Sequence, residues 1–314
     1  MNQAHATGAA SVSFHNMDNE INIQWFPGHM TKARRMIADN IKIIDAVCEV
    51  IDARIPYSSR NPDLGDMTGG KPRLLILNRI DQADPGVTKQ WRARFQEDGW
   101  AVLETDSHSG KGIAGFPAAA RTLLKDRLAY YSSKGQTGRK LRLMVVGIPN
   151  VGKSSFINRV ANRRAAMTSD KPGVTRGKQW ISVDNGIELL DTPGILWPRF
   201  EDPAVAENLA FTGAIRDEVI DIESLGASFM SRMMEHNPER IAERYNIDMA
   251  TNAGGFDLLA QAAKRRGFLV SGGEYDLGRM AVVLLDEFRG GKLGRITLER
   301  PMQSADCNGL GIRD

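Results

Sequence analysis

Hydrophobic residues are spaced along the chain in two patterns, one typical of buried strands and the other of amphipathic helices. Continuous apolar runs predict strands at 46–52, 73–78, 100–106 and 141–147. Apolar residues three or four positions apart predict helices over 28–45, 87–98, about 113–131 and from Lys153 onward. Two further apolar runs flank Asn185-Gly186, which is the signal of a β-hairpin. This alternation predicts an α/β domain with a mostly parallel sheet.

The pattern changes after Pro203, where helical spacing continues without strand-like runs up to about residue 290. A polar stretch at 132–140 has the composition of a linker. The first twenty residues are small and polar and contain no apolar stretch. We therefore predict a flexible tail over 1–22, an α/β domain over 23–204 and a small all-α domain over 205–314.

Composition excludes several classes of protein. Cys48 and Cys307 are too few for a disulfide scaffold or a zinc cluster. The sequence contains no run of 18 apolar residues and no secretory signal, so we expect a cytoplasmic protein that does not associate with membranes. Residues 1–204 carry 28 Lys and Arg against 21 Asp and Glu, whereas 205–314 carry 13 against 17. The excess in the first part is typical of a polyanion-binding surface, but an ordinary solvated surface gives the same count.

The strongest local signal is the segment GIPNVGKS, which runs from Gly147 to Ser154 between a predicted strand and a predicted helix. It matches G-x-x-x-x-G-K-[ST], the phosphate-binding loop, in the context that this motif requires. Backbone N–H groups would surround the phosphates, Lys153 would contact the β- and γ-phosphates, and Ser154 would bind Mg²⁺. We assign nucleotide binding to six residues here: Asn150, Val151, Gly152, Lys153, Ser154 and Ser155.

Two later segments complete the signature of a nucleotide hydrolase. Asp191-Thr-Pro-Gly194 closes the last apolar run, and an acid at this position holds Mg²⁺ in such enzymes, usually through water. Gly194 would bring its N–H close to the γ-phosphate. Thr175, in the loop between the two segments, would complete the Mg²⁺ coordination when a γ-phosphate is present. Each segment alone also describes an ordinary turn, and it is their order and spacing that favour the functional interpretation.

The base is predicted from Asn78-Arg79-Ile80-Asp81, at the end of the second strand. Guanine-binding proteins carry N-K-x-D here, and the aspartate accepts hydrogen bonds from guanine N1 and the 2-amino group, which adenine cannot donate. Arg79 replaces the usual lysine, and the two side chains differ in geometry. After the next strand, Asp106 and Ser107 occupy the place of a short loop that faces guanine O6, although a plain turn has the same composition.

The order of these motifs is unusual, because the guanine motif precedes Gly147 by 69 residues. Ordinary GTPases have the phosphate motifs first. The chain therefore resembles the circularly permuted Ras-like P-loop GTPases. Among these it is similar to ribosome biogenesis GTPase A, the YlqF family, from about residue 23 to 301. The segments that carry the similarity include Trp25-Phe-Pro-Gly-His-Met30, Asp52-Ala-Arg-Ile-Pro56 and Phe288-Arg-Gly-Gly-Lys-Leu-Gly294.

The resemblance implies a GTPase that acts late in assembly of the large (50S) ribosomal subunit and whose helical domain contacts rRNA. It also implies that His29 replaces the catalytic glutamine, because Ile195 occupies the usual glutamine position and cannot bind water. Asn150 would hold K⁺ beside the phosphates, in addition to Mg²⁺ at its own site. The predicted catalytic residues are His29, Lys153, Thr175 and Gly194.

Three hypotheses about function remain open at this stage. The first is a GTPase switch that acts on RNA, with no DNA partner, and the second is a signalling or metabolic GTPase with a protein partner. The third is a nucleotide-binding scaffold that hydrolyses little. Basic residues favour the first, namely Arg163, Arg164, Lys171, Arg176, Lys178 and the run Lys264-Arg265-Arg266. The net negative charge of 205–314 favours the second.

Overall fold

The computed structural model describes the backbone of residues 10–16, 19–25, 28–136, 138–165, 180–184, 186–197, 202–248 and 253–301. Side chains are described over the same ranges except for residues 10–33, 162–165 and 184. Several residues named above lie outside the described residues, namely Lys171, Thr175, Arg176, Lys178, Asn185 and Cys307. The side chains of His29, Arg163 and Arg164 are likewise outside the description.

Within these residues, eight strands are present. In chain order β1 to β8 are Ala10–Asn16, Asn19–Trp25, Ala46–Asp52, Arg73–Asn78, Ala101–Glu104, Leu141–Val146, Trp180–Asp184 and Ile187–Asp191. β1 and β2 pair antiparallel. β1 and the first four residues of β2 lie within 1–22, the stretch that was predicted to be a flexible tail. The other six form one sheet in the order β5-β4-β3-β6-β8-β7, and every pair is parallel except β7 with β8. The predicted α/β fold with a mostly parallel sheet is confirmed.

Eleven α-helices are found in the same part of the chain. In order α1 to α11 are Gly28–Asn40, Leu64–Met67, Pro85–Glu97, Phe116–Leu123, Lys125–Ser133, Lys153–Ala165, Pro203–Phe211, Ile222–His236, Pro238–Tyr245, Gly255–Arg266 and Leu277–Arg289. Aspartate side chains cap the N-termini of several of them; Asp84, for example, accepts a hydrogen bond from Val87 N at the start of α3. The last five helices follow one another without a strand among the described residues, as the sequence predicted.

The single helix expected over 113–131 is divided into two. A 3₁₀ turn at Ile113–Gly115 leads into α4, which ends before Leu124, and α5 begins at Lys125. In α5 the buried Tyr131 donates a hydrogen bond to Asp45 Oδ1 at 2.6 Å. Apolar spacing continues across Leu124, and the sequence pattern therefore did not reveal the break.

The helical part packs directly against the end of the sheet. The rings of Phe211 and Phe229 have centroids 5.0 Å apart, and those of Phe229 and Phe288 are 4.8 Å apart. The fully buried guanidinium of Arg54, from the loop after β3, lies 5.1 Å from the centre of the Phe288 ring. One apolar core therefore runs from the strands into α7, α8 and α11.

Candidate nucleotide-binding site

The candidate site lies where the chain order of the sheet reverses, between β3 and β6. In open α/β sheets, a crevice forms at the carboxyl ends of the strands at this point and holds the ligand. The sequence motifs end on the four central strands: Asp52 ends β3, Asn78 ends β4, the phosphate loop follows β6, and Asp191 ends β8. The fold therefore gathers motifs that are widely separated along the chain.

The phosphate loop runs from Gly147 to the first turn of α6, which begins at Lys153. Gly152 has φ +96°, and a Cβ there would lie 2.4 Å from Nδ2 of Asn78, so only glycine fits. Ser154 and Ser155 are exposed at the N-terminus of α6. The loop thus presents backbone N–H groups and hydroxyls at a helix N-terminus, where anions are favoured.

Lys153 and Asp191 form the charged centre of this loop. Lys153 is 7% exposed and donates to the carbonyl oxygen of Ile148 at 2.7 Å. Burial lowers the pKa of Lys153 to about 8, against the opposing effect of Asp191. Burial likewise raises the pKa of Asp191, which Lys153 partly offsets. A bound polyphosphate would supply the negative charge that favours the protonated lysine.

Asp191 also fits a divalent cation. Its Oδ1 is buried and has no hydrogen-bond partner among the described residues. Such an atom requires a partner, and a Mg²⁺ ion or one of its water ligands provides one. Ser154 is exposed, and its hydroxyl would supply a second oxygen ligand. The residues present therefore fit the Mg²⁺ role that the sequence assigned to Ser154 and Asp191.

Asn78 links the guanine motif to two neighbouring loops. Its Nδ2 donates to the carbonyl oxygen of Val151, in the phosphate loop, at 2.9 Å. Its Oδ1 accepts from the backbone N of Ser107 at 3.1 Å, from Ser107 Oγ at 2.7 Å and from Thr105 Oγ1 at 3.2 Å. Asp81, three residues on, is exposed and accessible to a base. Asn78 therefore connects the base motif with the phosphate loop and with the loop after β5.

The side chain of Arg79 lies along the phosphate loop. Its Nη2 donates to the carbonyl oxygen of Asn150 at 2.9 Å, and its Nε lies 3.7 Å from Asp52 Oδ2. Asp52 in turn accepts two hydrogen bonds from the guanidinium of Arg54, at 3.0 and 2.7 Å, and one from its backbone N at 2.9 Å. Burial acts to raise the pKa of Asp52, but Arg54 and Arg79 outweigh it and hold that pKa below its usual value. The guanidinium of Arg79 is thus fixed by an acid that the sequence analysis did not include in the site.

The loop after β5 contains Asp106 and Ser107, which the sequence predicted to contact the base. Asp106 Oδ1 accepts from the backbone N of His108 at 2.8 Å. Burial acts to raise the pKa of Asp106, whereas hydrogen bonds from Ser109 and His108 lower it more, so the carboxylate stays ionised within its own loop. Ser107 faces Asn78. The carboxylate of Asp106 therefore stabilises the loop in which it lies.

Gly194 and Ile195 close the other side of the phosphate loop. A Cβ on Gly194 would lie 2.8 Å from Cα of Pro149, so the close approach depends on glycine. Ile195 is 2% exposed and donates its backbone N–H to the carbonyl oxygen of Gly147 at 3.0 Å. Its side chain packs in a core with residues of β6 and cannot reach a phosphate-bound water. The position that carries glutamine in many GTPases is therefore filled by a core residue.

A contact that the sequence did not reveal joins the phosphate loop to the helical part. Asn150 has φ +58°, and its Nδ2 donates to the carbonyl oxygen of Gly213 at 2.6 Å. Arg79, Asn150 and Gly213 together line a cleft of about 390 Å³ between the site and the loop after α7. Arg289 borders the same cleft and binds both carboxylate oxygens of Asp217 at 2.7 Å.

The fold and site define a GTPase of the P-loop class with a circularly permuted order of motifs. The family model described as a 50S ribosome-binding GTPase matches residues 142–237. Ribosome biogenesis GTPase A of Bacillus cereus is 45% identical over 89% of this chain and 94% of its own length. Its counterpart in Priestia megaterium is 44% identical over 90% and 98%.

A solved structure agrees with these sequence comparisons. GNP-bound YlqF from T. maritima is 30% identical, with a TM-score of 0.60, over 87% of this chain and 99% of that chain. The chain belongs to the ribosome biogenesis GTPase A family, also called YlqF. It is a GTP hydrolase with the Mg²⁺ requirement typical of that class. Among the described helices, none has the length and apolar character needed to cross a membrane.

Proposed function

We propose that this GTPase is a switch that acts in late assembly of the large (50S) ribosomal subunit in the cytoplasm and binds its rRNA. The observation that carries the proposal is the hydrogen bond from Asn150, in the phosphate loop, to Gly213, in the loop after α7. Because Gly213 lies at the start of the helical part, a change at the phosphates reaches that part directly. The names of the relatives supply the ribosomal context. In this account 23–204 is the GTPase domain and 205–314 the RNA-contacting domain. The segment 1–22, predicted as a tail, contains β1 and the start of β2.

The base and the phosphates of GTP or GDP are bound by different loops. Asp81 accepts from guanine, Asn78, Arg79 and Ile80 shape its loop, and Asp106 and Ser107 complete the base pocket. The phosphates lie against Asn150, Val151, Gly152, Lys153, Ser154 and Ser155, with Gly194 at the γ-phosphate. The hydrogen bond from Asn78 to Val151 supports this assignment of base and phosphates to two loops, because it holds the base motif next to the phosphate loop.

Hydrolysis in this account uses two cations and one histidine. Ser154, Thr175 and Asp191 hold Mg²⁺, and the amide oxygen of Asn150 holds K⁺. When bound, these ions supply positive charge where the phosphates gain negative charge in the transition state. Lys153 adds a further positive charge at the phosphates, and Gly194 and Thr175 sense the γ-phosphate. His29 orients the attacking water, a role that the buried Ile195 cannot take.

A mixed basic and apolar surface at the end of α10 supports RNA binding. Lys264 and Arg265 are exposed in the last turn of α10. The following turn exposes Leu269 by 56%, Val270 by 45% and Tyr275 by 39%. Cations that bind phosphates and exposed rings on which bases can stack are both typical of proteins that contact single-stranded or looped RNA. We call these five residues the α10 surface.

The proposal is tested by co-sedimentation with purified large ribosomal subunits in the presence of a non-hydrolysable GTP analogue or GDP. We expect tighter binding with the analogue, and weaker binding at higher salt. The double variant Lys264→Glu/Arg265→Glu should lose most of the binding, whereas Lys89→Glu/Lys125→Glu, an equal charge change at other exposed positions, should not. Equal binding in both nucleotide states would contradict a switch. No binding in either state would favour a protein partner away from the ribosome.

A further inference from the structure

After its last helix, α11, the chain runs back to the GTPase part and contacts the loop that contains the guanine motif. Residues 293–299, which we call the return segment, lie across the loops that follow β3 and β4. The backbone N of Ile296 donates to the carbonyl oxygen of Gln82 at 2.9 Å, and that of Leu298 donates to the carbonyl oxygen of Arg54 at 2.8 Å. Ile296 is 1% exposed and belongs to the main core. The segment is therefore docked on the GTPase part of the molecule although it follows the helical part in the chain.

Two of its hydrogen bonds bracket Asp81. Arg295 Nη2 donates to the carbonyl oxygen of Ile80 at 2.7 Å. The hydrogen bond from Ile296 N to Gln82 O holds the residue on the other side. The backbone carbonyls immediately before and after Asp81 are thus both fixed by the return segment. Its Thr297 Oγ1 also accepts from the backbone N of Asp84 at 3.0 Å, which holds the end of the same loop.

The far end of the segment is anchored at the junction with the helical part. The Glu299 carboxylate accepts from the backbone N of Tyr57 at 2.7 Å, from the backbone N of Ser58 at 3.0 Å and from Asn208 Nδ2 at 3.0 Å. The Glu299 carbonyl oxygen accepts from Trp91 Nε1 at 3.0 Å. Asn208 lies in α7, so this anchor ties the return segment to the first helix of the helical part. A movement of the helical part would therefore be transmitted through the return segment to the loop that contains Asp81.

We propose that the return segment positions Asp81 for guanine, with Arg295 as the principal positioning residue, so that guanine recognition depends on docking of the helical part. This inference rests on the assignment of Asn78–Asp81 as the base-binding motif. Hydrogen bonds to a base require the acceptor within a few tenths of an ångström of its place, and an exposed loop does not hold such a position unaided. The charge-assisted bond from Arg295 to Ile80 supplies that support.

The test compares GTP with ITP, whose base lacks the 2-amino group but keeps N1–H. Wild type should prefer GTP, because Asp81 accepts from both groups of guanine. Arg295→Ala should weaken GTP binding about tenfold, the scale of one charge-assisted hydrogen bond, and should weaken ITP less. The ratio of the two dissociation constants then falls. Turnover at saturating GTP should stay near that of wild type, because the phosphate contacts are elsewhere.

Two further variants complete the design. Arg300→Ala removes the same side chain from an exposed position five residues on and should leave the ratio unchanged. Arg295→Lys keeps a donor and should restore part of the preference. A ratio equal to wild type in Arg295→Ala overturns the inference, as does an equal loss for both nucleotides together with a lower melting temperature. A wild type that does not distinguish GTP from ITP or ATP overturns the base-site assignment instead, which separates the two failures.

Discussion

Asn78 donates its side-chain amide to the carbonyl oxygen of Val151 at 2.9 Å, across 73 positions of the chain. One residue belongs to the base motif and the other to the phosphate loop. Because Asn78 also accepts three hydrogen bonds from Thr105 and Ser107, it holds three loops at one edge of the sheet. The permuted order of motifs therefore changes how the chain is connected and leaves the arrangement of the site intact.

Lys153 should take up a proton when nucleotide binds at mildly alkaline pH. Its pKa is lowered to about 8 by burial, and phosphate charge raises it again. At pH 8 roughly half of the free protein carries a neutral Lys153, so GDP binding should take up about half a proton there. Calorimetry in two buffers of different ionisation enthalpy measures this uptake. Lys153→Arg stays protonated and serves as the control; equal uptake by both proteins would contradict the assignment.

Hydrolysis should be faster in K⁺ than in Na⁺ at equal ionic strength. The amide oxygen of Asn150 remains available for a cation while its Nδ2 binds Gly213, and Na⁺ is too small to fit the same oxygen ligands well. Turnover of GTP is measured in the two salts for wild type and for Asn150→Ala. The difference in GTP turnover between K⁺ and Na⁺ should disappear in Asn150→Ala. Equal rates for wild type would leave Asn150 as a contact to the helical part alone.

His29 should matter for chemistry and not for nucleotide affinity. The base and phosphate contacts come from other residues, so His29→Ala should bind GTP nearly as wild type does. Loss of a water-positioning group lowers single-turnover hydrolysis by ~10²–10⁴-fold. We expect large subunits to accelerate the wild type and to leave His29→Ala slow. A variant that is stimulated like wild type would show that this histidine is structural.

The buried strands were the most predictable feature of the fold. The runs at 46–52 and 73–78 match β3 and β4 residue for residue, because a strand covered on both faces consists mostly of apolar residues. The break at Leu124 was not predicted, since apolar spacing crosses it without interruption. Sequence periodicity indicates which face of an element is buried, but it does not indicate where a helix is interrupted.

The candidate site was predictable only as far as its motifs are local. The phosphate loop and Asn78–Asp81 are recognisable in the sequence, because each has fixed residue spacing after a predicted strand. Contacts between distant surface loops have no such signature, and the bonds from Asn150 to Gly213 and from Arg295 to Ile80 were therefore missed. The role of His29 rests on the family resemblance, and that of Thr175 rests on its position between two motifs. Both stay predictions.

Glu287 should stabilise the helical part in a pH-dependent way. It is 6% exposed and accepts hydrogen bonds from Arg244, Tyr245 and Arg266. The hydrogen bond from Arg244 is the main reason that its pKa is lowered to about 2. Glu287→Gln should cost about 1–3 kcal/mol at pH 7. The unfolded pKa is higher, so this stabilisation is complete above pH 4.5 and is lost as the pH falls towards 2.

Urea unfolding at pH 7 and pH 3 measures this effect. The difference in the free energy of unfolding between wild type and Glu287→Gln should be smaller at pH 3 than at pH 7. Asp286→Asn is the matched control, because its side chain is 68% exposed and should change the free energy of unfolding by less than about 0.5 kcal/mol. A Glu287→Gln protein as stable as wild type at pH 7 would contradict the prediction.

Base specificity tests the central claim most directly. That claim is that the base motif at Asn78–Asp81 and the phosphate loop at Gly147–Ser154 form one guanine-nucleotide site, although their order in the chain is permuted. Dissociation constants for GTP, ATP and XTP are measured for wild type, Asp81→Asn and the exposed control Asp98→Asn. The account predicts that wild type and the control prefer GTP over ATP by at least about a hundredfold. Asp81→Asn should lose GTP affinity and gain XTP affinity, because xanthine presents an acceptor where guanine presents its amino group. Equal binding of GTP and ATP by wild type, or unchanged GTP binding by Asp81→Asn, would contradict the account.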